Sequence, residues 1–578
     1  MKESKTLLLD ELKRSLVPRA KALLPFSLVI MVLTLAPSYY MLEVYDRVVN
    51  SRSYTTLFML TVLVIGAYIV LEMIDYSRTQ ILRKVARDVD RSIRDSIVHA
   101  MFTAELDALR GTGSKALRDL RTLYTHLTSK SLLALIDAPF SLFILVLLFL
   151  INPVVGWFSV GGALVMVLLG VANEKSVHKP MNEAYQAMAT TQQYVQGVIR
   201  NAQVVEAMGM VDAVHGRWHK GHIKFIESQS AASYEASGYS AASRTTQMLV
   251  GSLVLGLGAW FVLKGELGGA LMIVASILAG RVIAPLVQLI ANWKQMTSFA
   301  DAYKRLNGLI GMYPLPQERM SLPAPVGQLN VEGVVAGPPQ SRLQVLKGVS
   351  FMAKPGTSIA IAGPSASGKS TLARVMTGIW PAFSGTVRLD GSDIYTWDKN
   401  ELGPSIGYLP QDVELINGTV AENIMRFGLY DESKIHQAAV LTGLNEIIDT
   451  LPHGYETQVG DNGAFLSGGQ RQRIALTRAV YGMPKYLVLD EPDSSLDEAG
   501  DAALLNTILK LKQEKATVVV ITHRMRLLEA MDYLMLLVDG RIQKFGPSLD
   551  VLRELRNPDN SPNPVRKAPV QSAKGRQP

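Results

Sequence analysis

Six stretches of about twenty residues each, almost free of charge, limit what this chain can fold into. They are Leu23–Leu42, Thr55–Met73, Leu132–Ile151, Val154–Asn173, Thr245–Leu263 and Ala270–Ile290. A helix of about 20 apolar residues crosses the ~30 Å hydrocarbon core of a bilayer. Inside that core every backbone N–H and C=O must be satisfied within the segment, which favours helices over open strands. The chain is 48% hydrophobic with mean hydropathy +0.18, high for a soluble enzyme. No small-residue cleavage site follows the first run, so it reads as a retained helix rather than a signal peptide. Before it, residues 1–22 are polar and basic, with Leu7–Leu16 as a short amphipathic helix on the membrane surface.

The charges orient the spans. Arg78, Arg83, Lys84, Arg87, Arg91, Arg94, Arg110, Lys115, Arg118, Arg121 and Lys130 lie between the second and third runs. Lys175, Lys179, Arg200, Arg217, Lys220 and Lys224 lie between the fourth and fifth. The other connections are short and nearly neutral, among them Glu43–Tyr54, read as a loop, and the tight turn Asn152-Pro153. The positive-inside rule puts both termini and both long segments in the cytoplasm. It also explains the net charge of +8 without nucleic acid, for which basic–aromatic clusters are missing. Ile81, Val85, Val89, Ile93 and Ile97 recur at helical spacing. The long segments therefore read as spans continuing into the cytoplasm, turning near Gly111–Leu120 and Gly197–Gly209.

The second half is of another kind. A proline-rich polar stretch, Tyr313–Pro325, separates it, and strand-like and helix-like runs then alternate as in an α/β domain. This divides the chain into a cytoplasmic segment 1–22, a transmembrane domain 23–312, a linker 313–327, an α/β domain 328–556 and a disordered tail 557–578. In the α/β domain, the apolar strand Ser358–Ala362 runs into Gly363-Pro364-Ser365-Ala366-Ser367-Gly368-Lys369-Ser370-Thr371, and Leu372–Ile379 reads as a helix. Strand, glycine-rich turn and helix form the context of a phosphate-binding P-loop. Small residues let successive N–H groups point inward at phosphates, Lys369 adds a charge beside them, and the Ser370 hydroxyl suits Mg²⁺. Downstream, the strand Tyr486–Asp490 ends in a carboxylate suited to the Mg²⁺ shell, followed by Glu491, the best general base for an attacking water. The absence of cysteine excludes disulfides, thiolate metal sites and a cysteine nucleophile.

Leu466-Ser467-Gly468-Gly469-Gln470-Arg471-Gln472-Arg473 stands at a loop-to-helix junction. Its exposed N–H groups and helix dipole suit an anion; the same residues also serve as a plain glycine turn capping a helix. Between a P-loop and the Asp490 strand, this run resembles the signature motif of ATP-binding-cassette (ABC) proteins. The resemblance implies further roles. Gln411, in Tyr408-Leu409-Pro410-Gln411-Asp412, matches the Q-loop glutamine near Mg²⁺. Asp497, in Ser494-Ser495-Leu496-Asp497, matches the D-loop. His523 matches the switch histidine that contacts the γ-phosphate, and Val459–Gly463 resembles the exporter X-loop. It implies a homodimer in which the P-loop of one copy and Ser467–Gln470 of the other enclose ATP. One element departs: the aromatic residue that stacks on adenine in the family has no counterpart in Leu329–Val349, where Val335 or Pro338–Pro339 are the substitutes.

Several membrane-half stretches resemble the type I secretion branch, in particular its alkaline-protease exporters. They are Tyr45–Val49, Ala116–Leu120, Asp137–Phe140, Glu206–Met210 and Ser276–Arg281. Nothing before the first span resembles the peptidase-like domain of other protein exporters. The resemblance implies ATP-driven export of an unfolded polypeptide with a C-terminal signal across the inner membrane. Its implied partners are a periplasmic membrane-fusion protein and an outer-membrane channel. A lipid, drug or small-peptide exporter shares the architecture. Arg281 lies mid-span, where charge is costly. It reads equally as a group lining the polypeptide path and as half of a structural ion pair, or one snorkelling to the cytoplasmic edge.

Overall fold

The computed structural model describes Pro18 and residues 22–107, 112–316, 320–341 and 343–556. The amphipathic stretch Leu7–Leu16 and the tail from Asn557 lie outside the described residues. Two compact units result: the first takes in the chain to Leu315 except for a short stretch from Glu105, which belongs with the second, and the second takes in the chain from Pro316 onward.

The first unit is helical. Its six candidate spans are α1 (Ala22–Ser51), α2 (Tyr54–Leu106), α4 (Ser131–Ile151), α5 (Pro153–Arg200), α7 (Val211–Leu263) and α8 (Gly269–Ala291). Between and after them come α3 (Thr112–Leu127), α6 (Ala202–Ala207) and α9 (Trp293–Met312). Each apolar run of the sequence falls within one helix. With 53 residues, α2 is about 80 Å long, far more than the bilayer core needs. Its first part exposes Phe58, Met59, Leu63, Ile65, Ile69 and Met73, a surface suited to lipid and a liability in water. Its second part buries Val85, Val89, Ile93 and Ile97 against Leu123 and Leu127 of α3 and Leu306 and Ile310 of α9. Arg305 of α9 adds a fork to Asp119 of α3, at 2.8 and 2.7 Å.

Two connections differ from the sequence reading. The expected loop Glu43–Tyr54 is mostly helix: α1 runs to Ser51 through a π-helical turn at Val44–Val48, and Arg47 pairs with Glu43 at 2.8 Å. The wider turn keeps the backbone bonded, and the i,i+4 pair offsets charges that composition alone assigns to a loop. The turn expected near Gly111–Leu120 is helical from Thr112 onward, because Ala116, Leu123 and Leu127 supply an apolar face that α2 covers. The other turn comes at Asn201 and Met208–Met210, on either side of α6.

The second unit carries two sheets. Strands β1 (Leu329–Ala336), β2 (Leu346–Ala353), β4 (Ser384–Leu389) and β5 (Ser392–Asp393) pair antiparallel in the order β2-β1-β4-β5. The larger sheet has the order β10-β9-β3-β8-β7-β6, built from β3 (Ser358–Ala362), β6 (Ile406–Leu409), β7 (Tyr486–Asp490), β8 (Thr517–Ile521), β9 (Tyr533–Val538) and β10 (Arg541–Pro547). All of its pairings are parallel except β10 with β9. The central strands are buried on both faces, which explains their unbroken apolar sequences. β3 sends Ile359 and Ile361 to one core and Ala360 to the other. The register pairs Ile361 with Ile521 and Asp490 with Ile521. The loops after β3, β7 and β8 therefore leave from one edge, the carboxyl end where parallel sheets bind ligands.

Lys399, after β5, turns its ammonium back onto the Ile394 carbonyl beside Gly378. Burial of that ammonium pulls its pKa down to about 8, with Asp393 and Asp398 acting in the other direction. Between pH 8 and its ordinary value of 10.5, the unfolded chain holds this proton and the fold does not. Stability therefore rises with pH across that window. Lys399→Met is expected to flatten the rise in melting temperature there. An unchanged slope would show that the ammonium is not desolvated.

Candidate active site

The turn after β3 is shaped by two glycines. A Cβ on Gly363 would stand 2.1 Å from the Leu537 carbonyl oxygen. Gly368, at φ 100°, caps the helix α10 (Lys369–Met376). The helix thus starts at Lys369, three residues before the expected Leu372, and ends at Met376 rather than Ile379. Lys369-Ser370-Thr371 form its first turn, with N–H groups facing the loop. Lys369 is buried, and its Nζ donates to the carbonyls of Gly363 at 2.8 Å and Pro364 at 3.0 Å. The Ser367 hydroxyl is buried without a partner, while Pro364, Ser365 and Ala366 are exposed. A tight turn at a helix N-terminus, with a folded-back ammonium and an unsatisfied hydroxyl, suits an incoming anion.

A chain of polar contacts joins this loop to the end of β7. Ser370 Oγ donates to Gln411 Oε1 at 3.4 Å, and Gln411 Nε2 donates to Glu491 Oε2 at 3.0 Å. Asp490 is buried with Oδ1 unpartnered. Burial pushes its carboxyl above the usual carboxylate range, and the Ser370 hydroxyl acts against that. Glu491 adopts φ 49°, a conformation that costs about 1–3 kcal/mol in a non-glycine residue. Its N–H is fixed to the Ile521 carbonyl at 2.9 Å. His523 is exposed two residues beyond Ile521, at the same sheet edge, and makes no hydrogen bond or ion pair among the described residues.

The signature residues lie elsewhere. Ser467 caps the helix α11 (Gly468–Val480) in a reciprocal box with Gln470, at 3.2 and 2.9 Å. Ser467 and Gly468 are exposed. No hydrogen bond or ion pair links Ser467–Gln470 with Gly363–Thr371 among the described residues. Their neighbour is the loop after β7: Gly469 abuts the Ser495 carbonyl. Asp497 caps the next helix by accepting from Gly500 N–H at 2.8 Å, and it accepts from Arg473 Nη2 at 3.1 Å.

Several positioning residues were not singled out from sequence. Gln472, inside the signature run, donates to the Glu491 and Pro492 carbonyls and the Ser494 hydroxyl and accepts from Ser495 N–H. It ties α11 to the segment that carries Glu491. Thr522 Oγ1 donates to buried Asp493 at 2.7 Å, and Arg524 donates to the Asp493 carbonyl at 2.8 Å. These contacts hold the His523 loop against the loop after Glu491. Val335, Pro338 and Pro339 are half-buried on the way from β1 to β2. An aromatic ring lies against this loop from beyond Leu329–Val349: a Cβ on Gly337 would be 3.3 Å from the exposed Phe383 ring. Phe383 N–H donates to the Val335 carbonyl at 2.7 Å. The far end of the same loop, Val345, abuts Gly368.

Two family descriptions match the chain: the ABC transporter transmembrane region over residues 23–286 and the ABC transporter over residues 346–494. Among curated proteins, the type I secretion system ATP-binding protein PrsD of Rhizobium meliloti (strain 1021) is 38% identical over 534 residues, 92% of each chain. The leukotoxin translocation ATP-binding protein LktB of Mannheimia haemolytica is 26% identical over 91% of this chain and 75% of that one. A solved structure of a bacterial Atm1-family ABC exporter with ATP bound superposes with a TM-score of 0.80 at 20% identity, over 93% of this chain and 96% of that one. That likeness bears on the fold alone.

Proposed function

We propose, since the chain belongs to the ABC transporter family as an ATP-hydrolysing exporter half-transporter, that it is the ATPase and permease of a type I secretion system. Its cargo is an unfolded polypeptide of protease, lipase or repeat type with a C-terminal signal. The observation that carries this reading is the 38% identity to PrsD across 92% of both chains. The chain works as a homodimer in the inner membrane, with a periplasmic membrane-fusion protein and an outer-membrane channel as partners. Residues 23–312 form the transmembrane domain, 313–327 the linker and 328–556 the ATP-binding domain, with both termini cytoplasmic.

ATP sits on the P-loop. Lys369 leaves the Gly363 and Pro364 carbonyls for the phosphates, and Ser367 gains a partner. Ser370, Gln411 and Asp490 supply the oxygen donors that Mg²⁺ takes, and the unpartnered Asp490 Oδ1 fits that use. Mg²⁺, when bound, neutralises charge on the phosphates. Glu491 accepts the proton of the attacking water, with one carboxylate oxygen steadied by Gln411. His523 contacts the γ-phosphate. Ser467, Gly468, Gly469, Gln470 and Asp497 of a second copy complete the site, consistent with their separation from the P-loop within one chain. ATP draws the copies together, and product release lets them part, which alternates access through the spans.

Phe383 takes the place of the missing base-stacking aromatic. Phe383→Ala is expected to raise the KM for ATP severalfold, on the order of 1 kcal/mol of stacking, with little change in kcat. An unchanged KM would exclude the ring from the base site. To test the transport reading, the full chain in lipid nanodiscs is assayed with C-terminal peptides of candidate cargo proteins. Peptide-stimulated ATP hydrolysis is expected. Stimulation by lipid and by no peptide would replace this reading with a lipid exporter.

A further inference from the structure

A cavity of about 220 Å³ opens among α1, α4 and α8 of the helical unit. Its lining is mixed: Ile30, Met31, Phe140 and Ile144 continue the apolar bundle, and Ser27, Thr34, Asp137, Ser141, Arg281 and Gln288 bring polar groups into it. The two charged members are in different situations. Asp137 is engaged: both of its oxygens accept from the buried Arg78 guanidinium, at 2.7 and 3.0 Å. Arg281 is exposed and makes no hydrogen bond or ion pair among the described residues. It stands twelve residues after the start and ten before the end of α8, about 18 and 15 Å along the helix axis, near the middle of that candidate span. Its helix is pinned against α7 by Gln247 Nε2 donating to the Gly280 carbonyl at 3.1 Å and Ser276 Oγ donating to the Gly251 carbonyl at 2.7 Å. Pro285, four residues on, has no N–H to give the Arg281 carbonyl, so a backbone acceptor is also left over there.

We propose that this cavity takes a carboxylate of the exported polypeptide, with Arg281 as its counter-ion. The inference rests on the polypeptide-export reading and names the chemistry by which cargo is held. A guanidinium without a partner within a membrane span is costly unless something anionic meets it, and its planar fork matches a carboxylate. The volume is below the ~300 Å³ at which pockets begin to enclose drug-sized ligands. It admits a small anionic group such as a side-chain or terminal carboxylate, and a lipid phosphate is the competing source that the test separates. Hydroxyls, an amide and the freed carbonyl around Arg281 supply the donors and acceptors that a main chain entering with the carboxylate requires.

The test uses the full chain in phosphatidylcholine nanodiscs and an N-terminally labelled C-terminal peptide of a candidate cargo. The peptide is prepared with free carboxylates, with only its terminus amidated, and with only its acidic side chains amidated. The wild type is expected to bind the free form about tenfold to a hundredfold more tightly than one of the amidated forms, which identifies the carboxylate. Arg281→Gln should bind all three alike, and Arg281→Lys should keep part of the difference. Size-exclusion and melting profiles matching wild type qualify each variant. Equal binding of the three peptides by wild type would overturn the inference, as would an Arg281→Gln protein that still distinguishes them. So would loss of the difference in nanodiscs of anionic phosphatidylglycerol, which would assign the cavity to lipid phosphate. A wild type that binds none of the peptides removes the polypeptide-export reading itself, and this inference with it.

Discussion

A Glu491→Gln protein is expected to bind ATP at near wild-type affinity and to hydrolyse it at least about a hundredfold more slowly. The amide keeps the size of the carboxylate and can keep the Gln411 contact, now 3.0 Å, so neither the P-loop nor the Asp490 donor set is disturbed. What is lost, on the assignment proposed above, is the base. With hydrolysis blocked, two copies should stay together around ATP, and the dimer should be trapped on a sizing column in the presence of nucleotide. The conformation of Glu491 makes the prediction sharp. Its left-handed backbone and its N–H bond to Ile521 hold the side chain at one place, and Gln472 fixes the following segment. Hydrolysis at the wild-type rate would show that another group, with His523 the first to examine, takes the proton.

The second large effect is on stability. Asp137→Ala is expected to cost about 3 kcal/mol, seen as a drop of several degrees in the melting temperature of the detergent-solubilised protein. Arg78 is 3% exposed at its side chain and makes a bidentate pair with Asp137, a bond from Nη1 to Ser27 at 3.0 Å and one from Nη2 to Asp75 at 3.0 Å. Without Asp137, a desolvated guanidinium keeps only a half-exposed carboxylate and a hydroxyl. The double change Arg78→Met with Asp137→Leu should recover most of the loss, because removing both charges removes the desolvation cost with the attraction. A single Asp137→Ala protein that melts with wild type would mean that Asp75 alone suffices for Arg78.

Why was some of this legible in the sequence and some not? The spans, the P-loop turn, the Asp490 strand and the signature helix are local patterns. Their physical causes act over a few residues, so reading along the chain finds them. The Arg78–Asp137 pair closes over 59 positions, and Arg78 by itself is one more basic residue in a basic stretch. Phe383 reaches the loop after β1 only because β4 pairs with that strand. Looking for an aromatic near the start of the domain therefore could not reveal it. Gln472 was in plain view inside a familiar motif, but its bonds to four residues of another loop depend on how α11 meets β7. The π-helical turn of α1 is hidden for a different reason: Glu43, Asp46 and Arg47 have loop composition, and the contact between Glu43 and Arg47 that suits them to a helix is not visible in composition. Arg281 stands out in the sequence as a charge within a span; that it has no ion partner among the described residues follows only from the packing of α1, α4 and α8 around it.

The measurement that bears most directly on the central claim is export itself. The full chain is co-expressed with its candidate membrane-fusion protein and outer-membrane channel, and the outside medium is assayed for a candidate cargo with and without its C-terminal segment. Full-length cargo should appear outside only when the segment is present and only with an active ATPase, so that the Glu491→Gln protein delivers none. Cargo retained inside under every combination, with ATP-dependent movement of lipid or dye by the same protein, would contradict the account.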